Sequence, residues 1–334
     1  MSQHLEETDR RIVTALVADP RVSWRELAQR LDLSERTVVR RAVPLYEKGI
    51  VRASAMRNLA CFPQLRVITL RLKCARERVG ALAEALARRP DTRAVDVISG
   101  GGEIFALLYL DNAQERDALL LRDIPATAAV ITWEAQRVMR VFPSVDPAHP
   151  PLPGELNLGF GMPEPERPVK LLDVDEAIIE ALSRNGRASY TELAGAAGVT
   201  AHTARRRLVT LLDEHVVRPV TIFDLSLVGL ESQSLLWLSV RPGALDTIGR
   251  RLAVHPDVFC AAAITGPANL LLAVAKPTFG DIYAFVTDTV GVIPEVTNVE
   301  TSAILATIKR PGHLRPTPWA RARGARRPTV GVHK

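Results

Sequence analysis

Ser34-Glu-Arg-Thr-Val-Val-Arg-Arg-Ala-Val-Pro-Leu-Tyr46 is matched 166 residues later by Thr200-Ala-His-Thr-Ala-Arg-Arg-Arg-Leu-Val-Thr-Leu-Leu212. Each stretch opens on a hydroxyl residue suited to cap a helix N-terminus. Val38, Ala42 and Leu45 then recur at spacings of four and three, as do Ala204, Leu208 and Leu211. That period predicts one buried stripe per helix. Arg36, Thr37, Arg40 and Arg41 fall off the stripe in the first copy; His202, Thr203, Arg205, Arg206 and Arg207 do so in the second.

Upstream, the same register holds through Asp9/Asp175, Ile12/Ile178, Leu16/Leu182, Arg21/Arg187, Ser23/Ser189 and Glu26/Glu192. Ser23-Trp-Arg-Glu26 and Ser189-Tyr-Thr-Glu192 are both capping boxes, in which hydroxyl and carboxylate satisfy each other's backbone amides. A first helix, stopped by Asp19-Pro20 or Asn185-Gly186, thus precedes a short second helix, a tight turn and the basic third helix. This is the grammar of a helix-turn-helix, whose second helix enters the DNA major groove with its N-terminal residues toward the bases. Arginine suits guanine edges and phosphates. The expected DNA-binding set is Ser34, Arg36, Thr37, Arg40, Arg41 and Arg52, with Thr200, His202, Thr203, Arg205, Arg206, Arg207 and Arg218. Arg52 and Arg218 enter because the β-rich stretches after each third helix, 49–56 and 215–222, read as hairpin wings touching the phosphate backbone. Pro44, inside the first reading helix where Thr210 stands in the second, predicts a kink beyond the DNA-facing residues.

Downstream of each wing the pattern becomes strand, helix, strand, strand, helix, strand. In the first copy these elements are 67–72, 79–86, 94–98, 104–110, 114–121 and 130–141. In the second they are 235–240, 245–254, 258–264, 270–275, 279–290 and 296–308. The order is that of a ferredoxin-like split β-α-β. The glycine run Gly100–Gly102 joins two strands and opens no helix, which excludes a phosphate-loop or dinucleotide reading. It reads as a turn tolerating positive φ, or as part of a small-ligand site. A repeat of this period is too long for a solenoid, whose units span about 20–50 residues. It is a duplicated module of domain size.

The expected organisation is an α+β chain. Winged helix-turn-helix domains occupy 1–58 and 171–226, and ferredoxin-like domains 59–142 and 227–310. A linker, 143–170, contains eight prolines and predicts a stiff, extended spacer. A basic tail, 311–334, is expected to be disordered. Of the formal net charge of +6, the first 142 residues carry +5, residues 171–310 carry −3 and the tail +6. A basic half suggests a polyanionic partner. No apolar run approaches the length of a membrane helix, and the polar N-terminus gives no signal peptide. Cys61, Cys74 and Cys260 lack metal-ligand spacing and read as free thiols; no metal and no cofactor is expected.

Taken in order, Asp9-Arg-Arg-Ile-Val-Thr-Ala-Leu16, Leu27-Ala-Gln-Arg-Leu31, Arg40-Arg-Ala42, Gly49-Ile-Val51, Pro90-Asp-Thr-Arg-Ala-Val95 and Ile98-Ser-Gly100 resemble the Lrp/AsnC, or feast/famine, family. The second copy matches through Asp175-Glu-Ala-Ile-Ile-Glu-Ala-Leu182, Arg206-Arg-Leu208, His255-Pro-Asp-Val258 and Ile264-Thr-Gly266. The resemblance implies a cytoplasmic, nucleoid-associated bacterial transcriptional regulator that binds double-stranded DNA. Its ferredoxin-like modules would drive dimerisation and sense an amino acid or related metabolite. The effector set it implies is Ser99, Gly100, Gly101, Gly102 and Glu103 in the first copy and Thr265, Gly266, Pro267, Ala268 and Asn269 in the second. Glu103 and Asn269 stand where the family commonly has an aspartate. Family members are mostly single-copy chains that pair, so this chain is expected to carry its dimer covalently and to assemble further.

Two rivals stand beside this reading. Siroheme decarboxylases share the architecture, including paired modules, and would want histidines and arginines converging on the acidic groups of a tetrapyrrole. Of seven histidines only His255 falls in a ligand module, and no catalytic spacing is present; a non-enzyme is expected. The other rival is an architectural protein coating DNA with little specificity.

Overall fold

The computed structural model describes residues 5–144, 159–165, 169–317 and 319. Chain contacts divide them into two compact units, formed by the described residues of Met1–Arg66 with Gln136–Ala303 and of Val67–Ala135 with Ile304–Lys334.

The first unit holds both helix-turn-helix domains. In the first, α1 (Glu7–Ala18), α2 (Trp24–Leu31) and α3 (Glu35–Glu47) enclose Ile12, Leu16, Val22, Leu27, Val38 and Ala42. Ser23 accepts from the Glu26 amide and Ser34 from the Thr37 amide, so both caps form as the spacing predicts. Helix α3 runs unbroken through Pro44 to Glu47. β1 (Val51–Arg57) follows. The second domain repeats this with α6 (Asp173–Arg184), α7 (Tyr190–Ala197), α8 (Ala201–Asp213) and β6 (Val217–Phe223) around Ile178, Leu182, Leu193, Ala204, Leu208 and Leu211.

Two backbone positions in each domain are left-handed. The turn between the second and third helices has Asp32 at φ 53° in one copy and Gly198 at φ 65° in the other. After the third helix stand Gly49 at φ 65° and His215 at φ 52°. Each copy thus keeps one glycine where the turn needs positive φ and accepts a strained side chain at the other. The same turn geometry survives different letters because the backbone requires it.

No hairpin wing forms. β1 and β6 pair with each other, antiparallel, from Val51 opposite Phe223 to Arg57 opposite Val217. Each domain supplies one strand, because Asn58 and Asp224 cap short 3-10 turns that lead the chain away instead of back along the strand. Those turns are exchanged. Cys61 and Phe62 enter the α6–α8 core, and Phe223, Leu225 and Val228 pack with Val13, Leu45 and Val51. Gly186 donates to the Ala53 carbonyl, and a Cβ there would lie 2.4 Å from the Ser54 oxygen.

The first unit also contains the second ferredoxin-like module: β7 (Ser232–Val240), α9 (Leu245–Ala253), β8 (Val258–Ile264), β9 (Leu270–Lys276), α10 (Phe279–Ala284) and β10 (Val296–Arg310) as far as Ala303. β9 lies between β7 and β8, and β7 also pairs with β10. β8 has a further neighbour, Val138–Val141 of β5 (Val130–Val141). The second unit has β2 (Arg66–Cys74), α4 (Val79–Arg88), β3 (Thr92–Ile98), β4 (Glu103–Leu110), α5 (Ala113–Ala118) and the first half of β5. There β3 pairs with β4 and with Ile304–Lys309 of β10. The buried Asp96 carboxylate accepts from Thr307 and from Arg310 at 2.8 Å, tying β10 to β3. Each module's edge strand is therefore met by the end of the other copy's last strand, a pairing that no local pattern announces. β11 (His313–Leu314) closes on the end of β10.

The linker and tail depart from free segments where they are described. Phe160 pairs by backbone with Phe259, the Asn58 side-chain Nδ2 donates to the Pro163 carbonyl, Met162 is buried, and Arg140 meets Glu164 at 2.8 Å. Trp319 lies against Gly80 on α4, its indole donating to Glu84 at 2.7 Å. The spacer expected of 145–158 and 166–168, and the disorder expected of 320–334, fall outside the described residues.

Candidate nucleic-acid interface and ligand loops

The reading helices present unequal faces. On α3, Ser34, Arg36 and Arg40 are exposed, Thr37 is half-buried, and the Ser34 and Thr37 hydroxyls share a 2.8 Å hydrogen bond. On α8, Thr200, His202, Arg205 and Arg206 are exposed, and Thr200 donates to Thr203. Arg205 leans toward the Tyr190 ring, 5.9 Å from its centroid. Arg36, Arg40 and Arg206 form no ion pair among the described residues and offer charged forks to solvent, the geometry that bidentate contact with guanine or phosphate requires.

Arg41, Arg207 and Arg218 occupy other roles. Arg207 donates to Asp175 through Nε at 2.7 Å and Nη2 at 2.6 Å, and Asp175 also accepts from the Leu172 amide. Asp175 is fully buried, so the pair ties α8 to the start of α6. In the first copy Arg41 holds Glu6 at 2.6 Å and Asp9 at 3.6 Å. The repeated Asp9/Arg41 and Asp175/Arg207 are thus a structural tie present in both copies, and Arg207 is consumed by it. Arg218, expected on a wing, is instead half-buried and donates to the Gly159 carbonyl; burial lowers its pKa. Arg52, by contrast, is exposed on β1.

The ligand loops also diverge. In the first module Ser99–Gly101 forms a 3-10 turn, with Gly100 at φ 63° and Gly101 at φ 73°, and Glu103 is clamped by Arg71 at 2.8–2.9 Å. Gly100 and Gly102 have open space where a Cβ would sit. In the second, Thr265–Ala268 is a bend. The Thr265 amide donates to the Arg137 carbonyl, the Arg137 amide donates to the Thr265 hydroxyl, and the Pro267 carbonyl accepts from Ser239. Asn269 accepts from the Val240 amide at 2.9 Å and donates to the Val240 carbonyl at 2.8 Å. Its side chain stitches the loop to β7 and is not free to hold an effector. Asn269→Ala is expected to leave both Val240 groups unpaired and to cost about 1–3 kcal/mol, read as a lowered midpoint in thermal denaturation.

A shallow cleft of about 210 Å³ lies in the first module, lined by Leu72, Leu82, Leu86, Leu119, Ile124 and Val130 among others. It is smaller than the roughly 300 Å³ at which small-molecule sites begin. His255 sits edge-on to Phe285 with its Nδ1 accepting from the Asp257 amide, and burial lowers its pKa. Burial raises the Cys61 thiol and pushes Cys260 up to about 11; burial together with the Glu103 carboxylate does the same for Cys74. None of the three is an activated nucleophile. Among the described residues no helix is long and apolar enough to cross a membrane.

The model of the AsnC-type helix-turn-helix domain matches residues 5–45 and again 173–212, and that of the Lrp/AsnC ligand binding domain matches 233–314. The chain belongs to the Lrp/AsnC family. Among its relatives, an uncharacterised HTH-type transcriptional regulator of Pyrococcus horikoshii is 27% identical over 150 residues, covering 45% of this chain and 94% of the relative. The HTH-type transcriptional regulator FL11 of the same organism is 24% identical over 147 residues, 44% of this chain and 97% of FL11. AldR of Mycolicibacterium smegmatis is 28% identical over 148 residues, 43% of this chain and 86% of AldR. Each relative spans under half of this Lrp/AsnC chain, as a single copy of the repeat would. Among solved structures, the siroheme decarboxylase NirDL covers 90% of this chain and 92% of its own, with a TM-score of 0.57 and 14% identity. At that identity the likeness is one of fold.

Sequence reasoning had repeated but unassigned residues in view: Arg21/Arg187 and Asp9/Asp175 stand in register, and register alone marks them as built in. Arg71 carries no signal, because its partner Glu103 lies on the neighbouring strand, β4, far away in sequence.

Proposed function

We propose that this Lrp/AsnC chain is a sequence-specific DNA-binding transcriptional regulator that acts as a covalent pseudo-dimer on an operator with two unlike halves. The reading rests on the exposed, capped N-terminal turns of α3 and α8, which carry Arg36 and Arg40 in one and His202, Arg205 and Arg206 in the other. Different side chains at equivalent positions read different bases. The exchanged 3-10 turns and the β1–β6 ladder support intramolecular pairing of the two domains. Selection from random DNA is expected to enrich a bipartite, non-palindromic site. A perfect palindrome overturns the unlike halves, and no enrichment overturns the regulator.

The ligand modules are proposed to bind an amino acid or related metabolite and to mediate further self-assembly. Ser99–Glu103 is favoured over Thr265–Asn269 as the effector loop, because the first is open at Gly100 and Gly102 while the second is stitched shut by Asn269. The fold shared with NirDL leaves tetrapyrrole chemistry as the second reading. His255, the histidine on which it would draw, is already held between Phe285 and the Asp257 amide.

A further inference from the structure

Arg21 lies in the α1–α2 turn, Arg187 in the equivalent α6–α7 turn. Arg21 donates through Nη1 to the Gly186 carbonyl at 2.5 Å and through Nη2 to the Ala188 carbonyl at 2.9 Å. Arg187 donates through Nη1 to the Pro20 carbonyl at 2.9 Å and through Nη2 to the Val22 carbonyl at 2.8 Å. Pro20 and Gly186 are equivalent in the repeat, as are Val22 and Ala188. The contact is therefore isologous: each turn grips the other with the same fork on the same two carbonyls, as across a twofold axis. Four charge-assisted bonds to backbone leave no side-chain rotation as slack.

The grip is reinforced on one side. The Arg187 guanidinium lies over the Trp24 ring, 4.2 Å from its centroid, and Trp24 packs edge-on against Tyr46 at the end of α3. A cation over an indole face in a partly desolvated site is attractive. The equivalent of Trp24 is Tyr190, toward which Arg205 of α8 leans. Burial first, and the nearby Arg187 charge further, lower the Arg21 pKa. Both turns directly precede the helix, α2 or α7, that packs against the reading helix.

We propose that Arg21 and Arg187 are positioning residues that lock α3 and α8 at one separation and phase, so that the chain accepts its two half-sites at one spacing only. This rests on the regulator reading above. Neither arginine need touch DNA: their donors are spent on carbonyls of the opposite turn.

The test has an arm that needs no DNA. Spin labels at Glu35→Cys and Ala201→Cys, both exposed positions, report the distance between the reading helices. The native thiols are expected to react slowly, since burial raises their pKa. A narrow distance distribution is expected in the parent and a broad one in Arg21→Ala/Arg187→Ala. Arg21→Lys/Arg187→Lys keeps the charge but not the planar fork, and is expected to broaden it too should the alanine pair fail to fold.

The second arm measures affinity for the selected operator with about 5 bp, half a helical turn, inserted between its halves. The parent is expected to lose roughly 100-fold, as one half-site falls out of reach. The lysine pair is expected to lose about tenfold or less from its own uninserted value. A variant distribution as narrow as the parent's, or an unchanged spacing penalty, overturns the lock. A parent that binds no site overturns the regulator reading, while the distance arm still decides whether the arginines hold the two helices.

Discussion

Arg40→Ala/Arg206→Ala is expected to lose sequence-specific DNA binding by roughly 100-fold or more, since each bidentate base or phosphate contact contributes about 1–3 kcal/mol. Both side chains are exposed on the N-terminal halves of α3 and α8 and form no ion pair among the described residues. Their removal should leave the melting temperature unchanged. Fluorescence anisotropy on the selected operator, repeated across a salt series, separates the two kinds of contact. A lost phosphate contact lowers the salt slope by about one, whereas a lost base contact leaves the slope and relaxes the sequence preference at one position. Unchanged affinity would remove α3 and α8 as the reading elements. Arg36→Ala is the independent check in the first copy, where the second copy has His202.

Arg207→Ala is expected to act through stability. Asp175 is 0% exposed and Arg207 17%, with two hydrogen bonds of 2.6–2.7 Å between them. Removing the arginine strands a buried carboxylate, and breaking such a pair costs about 3–5 kcal/mol. The Leu172 amide bond to Asp175 survives but cannot neutralise the charge. Arg41→Ala should cost far less, because an exposed ion pair is screened by solvent: its closest acid, Glu6, is 70% exposed and Asp9 stands 3.6 Å off. Denaturant unfolding of the two single variants checks the contrast. Asp175→Asn in the Arg207→Ala background should recover part of the loss, because the neutral amide removes the stranded charge. Equal, small losses at Arg41 and Arg207 would sink the distinction between them. The outcome matters for the DNA reading too: a footprint lost in Arg207→Ala reports a weakened domain, and only Arg40 and Arg206 report contact.

The second copy is thus tied more tightly at its reading helix than the first, and its ligand loop is closed by Asn269 where the first is open. Divergence after duplication has fallen on the positions where function is expected, while the repeated letters hold the scaffold. That division explains why the repeat was so informative about fold and misleading about Arg41 and Arg207. Both were in register, both lie on basic helix faces, and register marks a structural partner as readily as a DNA contact.

Local signals were legible in the sequence. The 3.6-residue stripe, the hydroxyl caps and the strand-turn-strand around Gly100–Gly102 depend on neighbours within a few residues, and each formed where its letters stand; of the two capping boxes only Ser189–Glu192 closes on both sides, while the Glu26 carboxylate turns to Arg30 and leaves Ser23 as a one-sided cap. The left-handed positions at Asp32 and His215 could be inferred only through their glycine counterparts. What the tertiary structure alone decided is every contact between the copies. β1 and β6 were each readable as a strand, but a lone strand does not say whether it folds back as a wing or pairs with its repeat. The same holds for the far ends of β5 and β10, for the burial of Arg218 under Gly159, and for the carbonyls that Arg21 and Arg187 grip. Backbone hydrogen bonds carry no side-chain identity, so partners far apart in sequence leave no trace in either segment. The letters determine the module and its duplication, and the three-dimensional pairing determines which arginines remain to read DNA.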